Sequence, residues 1–406
     1  MDFAFNQEQL AYKALTRKFA AEHIQRMGSD PDGMFGVIGS EEFHWGCAGI
    51  ALAISGSGLA AAGLASSGTP EQIARWVPEC FGVGDEIKLG AYAVTEAGAG
   101  SDVKSLRTTA KRDGDEWVLN GTKVFITNGG IADVHVVVAN VAPELGHRGQ
   151  ASFVIEKGTP GLSQGKKESK LGIRASHTAE VVLDECRIPL DNLLGGMEKL
   201  ERKLDRARRG EASRGSGALA TFELTRPIVG ASALGIAQAA YEWTLEYLDD
   251  PNLSADVFEL ALDDSSTAGR PPLERQSVQQ VLAQVATEIE AARLLVQRAS
   301  WMGRNGIPLT GGQGSMSKLK SGQVAVWATR TLIDLVGPYA GTRECPLEKW
   351  FRDAKIYELF EGTAEIQRLV ISRMQAAEYR ERLLEAAAIA AEATEPELGG
   401  SVAAAQ

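Results

Sequence analysis

The feature that most narrows what this chain can fold into is a double change of texture along it. Up to about residue 88 the apolar residues recur at helical spacing, as in "EEFHWGCAGIALAI" and "GTPEQIARWVP". From about 89 to 197 they gather into short β-branched runs instead: "EWVLNGTKVFIT", "VHVVVANV", "ASFVIEKG" and "AEVVLDECRIP", parted by Gly, Asn, Asp and Pro. Short β-branched runs bounded by turn residues read as strands, whereas i, i+3, i+4 spacing reads as helix. After "NLLGG" long amphipathic segments return, among them "RQSVQQVLAQVATEIEAARLLVQRASWM" and "SMSKLKSGQVAVWATRTLIDLVG", of the kind that pack into bundles. The order implies an α+β chain with an N-terminal helical domain over 1–88, a middle β domain over 89–197 and a C-terminal helical bundle over 198–385. The Ala-rich end, 386–406, is expected as a flexible tail.

Local signals sharpen parts of this. Thr69-Pro70 has the chemistry of a helix start, Thr69 capping and Pro70 in the first position. Asn120-Gly121 has the composition of a hairpin turn. The Gly, Ala and Ser-rich stretch 47–65 is less apolar than a membrane span of about 20 residues and reads as tightly packed buried helix. The net charge of −11 argues against nucleic acid or an anionic membrane as partner. Four scattered cysteines show neither CxxC nor zinc spacing, and the N-terminus lacks a basic start followed by an apolar run, so a reduced, cytoplasmic protein is expected.

Three stretches carry possible chemistry. "GAYAVTEAGAGSDVKSL" (90–106) ends a strand-like run in a Gly-rich turn, where small residues let backbone N–H groups approach a planar or phosphorylated ligand. A plain β-turn fits the same residues. In "NGTKVFITNGG", Phe125 and Thr127 read as an aromatic wall beside a polar contact, or as an ordinary hydrophobic hairpin. In "KIYELFEGTAEIQR" (355–368), apolar Ile356, Leu359, Phe360 and Ile366 imply an inward-packed helix, yet Glu361 follows Phe360 directly. A buried carboxylate costs several kcal/mol unless paired, and its pKa rises. Taken alone, such a Glu reads as a solvated helix-end residue.

Together these runs, with "KLGIRASHTAEVVLDECRIPLDNLLG", "FELTRPIVGASALGIAQAA" and "KWFRDAKIYELFEGTAEIQR", resemble the acyl-CoA dehydrogenase family in colinear order over roughly 40–376. The resemblance implies an N-terminal helical domain, a β-barrel-like middle domain and a C-terminal four-helix bundle. It further implies FAD, oxidation of acyl-CoA thioesters to trans-2-enoyl-CoA in fatty acid or lipid metabolism, and an electron-transferring flavoprotein as electron acceptor. Position by position it assigns Tyr92, Val94, Thr95, Gly100, Ser101, Phe125, Thr127, Thr363 and Glu365 to the flavin. Ser101, Arg226 and Gly362 fall to the substrate side, and Glu361 to the catalytic base. Some relatives carry the base on the helix holding "FELTRP", where this chain has Thr225, which cannot serve.

The departures lie elsewhere. The N-terminal helical stretch is shortened to "GSDPDGMFGVIGS". In the family a neighbouring chain supplies an Arg-x-x-Phe-Gly run and a Gln followed by Gly-Gly to FAD. Here Ser265, Ala268, Asp334 and Pro338 stand at those places, with Arg270 near enough in sequence to substitute. An α2β2 heterotetramer with a homologous subunit is therefore expected, against a homotetramer, a flavin-poor partner subunit or an acyl-CoA oxidase.

Overall fold

Helix α3 (Pro70–Glu79) shows how a local signal positions larger parts. Thr69 Oγ1 accepts from the Gln72 N–H at 3.3 Å, and Gln72 Oε1 accepts from the Thr69 N–H at 3.0 Å, a reciprocal cap that satisfies two orphan donors. Gln72 also reaches the end of the β region, donating to Leu193 O at 2.8 Å. The computed structural model describes residues 30, 32–82, 86–211, 218–250, 253 and 271–394. Before α3 come α1 (Phe35–Ser55) and α2 (Gly58–Ser67).

The stretch 47–65 is not the single buried helix expected of it. Cys47 leaves helical geometry inside α1, and a second break separates α1 from α2. Ala48, Ala51, Ala60 and Leu64 are buried, while Ile50 and Ile54 are exposed. Small residues let one side approach closely, as at Gly49, where an added Cβ would lie 3.1 Å from that of Ala175. Among the described residues no single helix is long and apolar enough to cross a membrane; α1 and α2 pass by composition only as a pair bent by 48°.

The β region is one seven-stranded sheet of β1 (Gly90–Ala93), β2 (Thr109–Asp113), β3 (Glu116–Thr127), β4 (Val134–Asn140), β5 (Gln150–Glu156), β6 (Leu162–Lys167) and β7 (Thr178–Pro189). The path runs β1-β4-β2-β3-β7-β6, with β5 also on β4. Every residue of β4 is buried, His135 and Asn140 included, as expected of a largely apolar strand covered on both faces. The expected hairpin turn at Asn120-Gly121 is instead a bulge inside β3, at a register shift against β7. Gly121 has φ +150°, and an added Cβ would lie 2.5 Å from Thr108 Oγ1. Asn120 exchanges two hydrogen bonds with Glu185. The glycine serves close backbone approach, and the β2–β3 turn falls at Gly114-Asp115.

Beyond α4 (Gly196–Arg208), helices α5 (Ala218–Leu248), α6 (Gln276–Arg304) and α7 (Gln313–Val336) pack with α8 (Leu347–Tyr357) and α9 (Ala364–Thr394). Helix α9 continues to Thr394, past residue 385 where a flexible tail was expected; its Ala and Glu content favours helix. Bundle and sheet have separate cores, and the β6–β7 loop joins them. Ile173 of that loop packs into the bundle core. Its N–H donates to Asp353 Oδ1 at 2.5 Å, Lys349 Nζ holds Oδ2 at 2.7 Å, and Arg352 donates to Leu171 O. Asp353 is buried while Lys349 is half-exposed, so removing Asp353 strands no buried charge but leaves the buried Ile173 N–H without its acceptor, typically a cost of about 1–3 kcal/mol. Asp353→Ala should therefore lower unfolding free energy by about 2 kcal/mol and loosen the loop, read by denaturant titration and amide exchange. A loss below about 1 kcal/mol would show the pin to be dispensable.

Candidate active site

Glu361 does not ride on a helix, as its apolar neighbours implied. Helix α8 stops at Tyr357, and residues 358–363 form a turn before α9. Leu359, whose apolarity contributed to the helical reading, is 51% exposed. Glu361 has φ +52° and Gly362 φ +92°. A non-glycine residue in this region is uncommon and must be held there. Gln367 Nε2 donates to Glu361 O at 3.0 Å and to Gly362 O at 3.2 Å, and Lys318 Nζ donates to Gly362 O at 2.7 Å. An added Cβ on Gly362 would lie 2.6 Å from that same Gln367 nitrogen. Thr363 Oγ1 accepts from the Ile366 N–H and opens α9, with Glu365 exposed in its first turn.

The Glu361 side chain meets α5 and α7. Thr225 Oγ1 donates to Glu361 Oε2 at 3.1 Å. Loss of water pushes the Glu361 pKa up, while the Thr225 hydrogen bond and the Lys318 and Arg226 charges oppose that rise. Arg226 is buried and its Nη1 donates to Ser315 Oγ at 2.8 Å. Lys318, 2% exposed, is lowered to about 8 by burial, against the pull of Glu361. Glu361, Gly362, Thr363 and Arg226 thus come together in one place.

Tyr92, Val94, Thr95, Gly100, Ser101, Phe125 and Thr127 form a second group on the sheet. Thr95 O accepts from the Val124 N–H at 2.8 Å, and Val94 O accepts from Lys123 Nζ at 3.0 Å. The Val94 side chain is buried with Ala99, Leu106 and Val138, which leaves its backbone for any ligand contact. Tyr92 lies over Gly63 of α2 and Thr127 over Gly56. Glu96 and Ala99 close a tight turn, after which Gly100 and Ser101 are exposed. That loop hangs on a buried ion pair. Glu96 Oε1 takes Lys123 Nζ at 2.7 Å and Thr108 Oγ1 at 2.6 Å, and Oε2 takes the Arg107 N–H at 2.7 Å. Burial pushes Glu96 up, but these partners outweigh it and leave its pKa lowered. Phe125 is 64% exposed on left-handed backbone. The Val124–Thr95 backbone bond ties the strand carrying the exposed Phe125 ring to the segment that leads into the exposed Gly100–Ser101 backbone. An exposed ring and a small-residue loop are compatible with a planar cofactor bearing a phosphate arm, as in a flavin nucleotide.

Two family models match, "Acyl-CoA dehydrogenase, C-terminal domain" over residues 215–376 and "Acyl-CoA dehydrogenase, middle domain" over 91–186. This chain belongs to the acyl-CoA dehydrogenase family. It is an oxidoreductase of that FAD-dependent class, acting on acyl-CoA thioesters. It is 38% identical over 337 residues to a cyclohexane-1-carbonyl-CoA dehydrogenase of Geobacter metallireducens, covering 82% of this chain and 79% of that protein. The solved butyryl-CoA dehydrogenase of Megasphaera elsdenii superposes with TM-score 0.71 at 30% identity, covering 92% and 99%. A chain from a structure described as the electron-transferring flavoprotein of Acidaminococcus fermentans gives TM-score 0.69 at 28%, covering 92% and 99%.

Four residues of this acyl-CoA dehydrogenase were not foreseen at the site: Ser315, Lys318, Gln367 and Thr225 as a hydrogen-bond donor. A signal for the first two existed. Ser315, Lys318, Gly322 and Ala325 share one face of α7 by helical spacing, and all are buried, so Lys318 stands on an inward stripe. Ser265, Ala268 and Arg270 lie outside the described residues, whereas Asp334 and Pro338 are exposed. A carboxylate whose pKa rises on folding lowers stability at pH values above that raised pKa. The penalty disappears as pH falls below the unfolded value. Glu361→Gln should thus melt higher than the parent chain near pH 8, the difference closing towards pH 4. A pH-independent difference in scanning calorimetry would contradict this.

Proposed function

We propose that this acyl-CoA dehydrogenase removes hydrogen from Cα and Cβ of its thioester with Glu361 as the base. The observation that carries this is a half-buried carboxylate whose loss of water raises its pKa, on a clamped left-handed turn, with a hydroxyl and two buried cations around it. A thioester α-proton is weakly acidic. A base must therefore be oriented against it in a dry site, where its proton affinity rises. The α-proton passes to the Glu361 carboxylate, leaving negative charge on the thioester oxygen. With both carbonyls of the turn held by Lys318 and Gln367, the Glu361 N–H is preorganised to donate to that oxygen. FAD, when bound, supplies the acceptor for the β-hydride, so that the trans-2-enoyl thioester leaves. Phe125 and Thr127, with the Thr95 and Gly100–Ser101 backbone, would hold its ring and side arm, and Tyr92, Val94, Thr363 and Glu365 flank it. Gly362 leaves space for the acyl chain, and Arg226 with Ser101 faces the thioester arm.

The same reading extends to an electron-transferring flavoprotein as acceptor and to a homologous subunit completing the FAD site. Exposed Asp334 and Pro338 favour the latter. A diphosphate prefers Arg, an extra carboxylate repels it, and proline offers no N–H. Purified alone, the chain should hold well under one FAD each, rising on co-expression with a homologous subunit. A homotetramer with one tight FAD per chain excludes the heteromeric reading.

Anaerobic titration with butyryl-CoA and cyclohexane-1-carbonyl-CoA, scored by flavin absorbance, tests the base. Glu361→Gln should keep flavin absorbance and slow bleaching at least about 10³-fold, within the scale of general-base contributions. Bleaching at the parental rate would remove Glu361 from the reaction.

A further inference from the structure

Lys318 holds the turn at a cost that a neutral donor would not incur. Gln367 already bonds both carbonyls of the turn with a neutral amide, so the bond from Lys318 to Gly362 O does not by itself call for an ammonium. Burying a lysine charge is costly, and desolvation normally lowers its pKa until it is neutral. Here desolvation brings Lys318 to about 8, with Glu361 the largest of the charges holding it up. The influence is mutual, because Lys318 in turn favours the ionised form of Glu361.

Among the described residues, the charged and titratable groups around Glu361 are few. Arg226 comes from α5 and Lys318 from α7, while Tyr357 ends α8. Glu358 and Glu365 flank the turn and act on Lys318. Arg226 is occupied by Ser315. Of these groups, Lys318 both touches the turn's backbone and opposes the neutralisation of its carboxylate.

We propose that Lys318 is the positioning residue of the proton-transfer step: its buried ammonium fixes the Glu361–Gly362 turn through the Gly362 carbonyl and keeps the neighbouring carboxylate ionised and ready to accept. This rests on Glu361 being the base. A protonated Glu361 cannot take a proton, so a site dry enough to strengthen the base also tends to disable it. A cation fixed on the Gly362 carbonyl moves that balance through the turn itself. Arginine would keep the charge, methionine would keep the stem and lose it, and glutamine would keep a donor without the charge.

The experiment uses the full chain reconstituted with excess FAD, with the homologous subunit co-expressed where FAD loading requires it, in the parent, Lys318→Met, Lys318→Arg, Gln367→Met and Glu361→Gln forms. One readout is the pH dependence of flavin bleaching by acyl-CoA in a single turnover. The other needs no substrate: the Glu361 carboxyl titration, followed by infrared difference against Glu361→Gln. Lys318→Met should move the acid limb of bleaching and the infrared midpoint together to higher pH, because losing a cation raises the carboxyl pKa. Lys318→Arg should return both towards the parent. Gln367→Met should lower the melting temperature and leave both in place. If Lys318→Met does not fold, Lys318→Gln carries the same arm. An unmoved midpoint in the neutral variant, or an equal move in Gln367→Met, overturns the proposal and leaves Lys318 as scaffold. Parental bleaching in Glu361→Gln would instead defeat the base assignment, while the infrared midpoint would still report whether Lys318 acts on Glu361.

Discussion

A carboxylate that loses much of its water on folding must be met by donors and positive charge, and three helices of the bundle supply them to Glu361. The turn at Glu361-Gly362 draws on three helices: Thr225 and Arg226 from α5, Lys318 from α7 and Gln367 from α9. Each contributes a group that would be expensive to bury elsewhere. The left-handed backbone at two successive positions is strained for the glutamate and relaxed for the glycine. Hydrogen bonds to both of its carbonyls help hold such a turn.

The sheet solves a related problem with the opposite sign of outcome. Glu96 and Lys123 are also buried and charged, but they bond each other, and Glu96 takes further N–H and O–H donors. Its pKa goes down where that of Glu361 goes up. Satisfied fully, a carboxylate becomes a fixed strut, here one that holds the loop leading to Ser101. Satisfied partly, it keeps an appetite for a proton. Glu96 is lowered by the hydrogen bonds and cation it receives, whereas at Glu361 loss of water outweighs the partners it has.

The order of textures was legible because periodicity reports which faces are covered, and the Thr69 cap because its chemistry is local. Asn120-Gly121 misled because turn composition also suits a bulge; what decided the matter was Thr108 pressing on Gly121, a contact across strands. The 47–65 stretch misled similarly, since small residues permit close packing without saying on how many sides. At the site, Glu361 was legible through a motif, whereas the turn that holds it was not. Its neighbours are apolar at helical spacing, and its clamps come from helices distant in sequence. Lys318 lay on the inward stripe of α7, but helical spacing alone did not say what its ammonium would meet there, since the turn it bonds is distant in sequence. Nothing in the strand pattern distinguished Val94, with its inward side chain, from Thr95.

Phe125 stands mostly uncovered, on the strand where a flavin is proposed to bind. A ligand that binds only the folded form raises its stability in proportion to the logarithm of free concentration over dissociation constant. Ligand-free copies would carry an adhesive spot and a thinner margin against unfolding, and cellular proteolysis removes such copies first. The steady amount of this enzyme would then track vitamin supply: a cell short of riboflavin would hold fewer copies as well as idle ones.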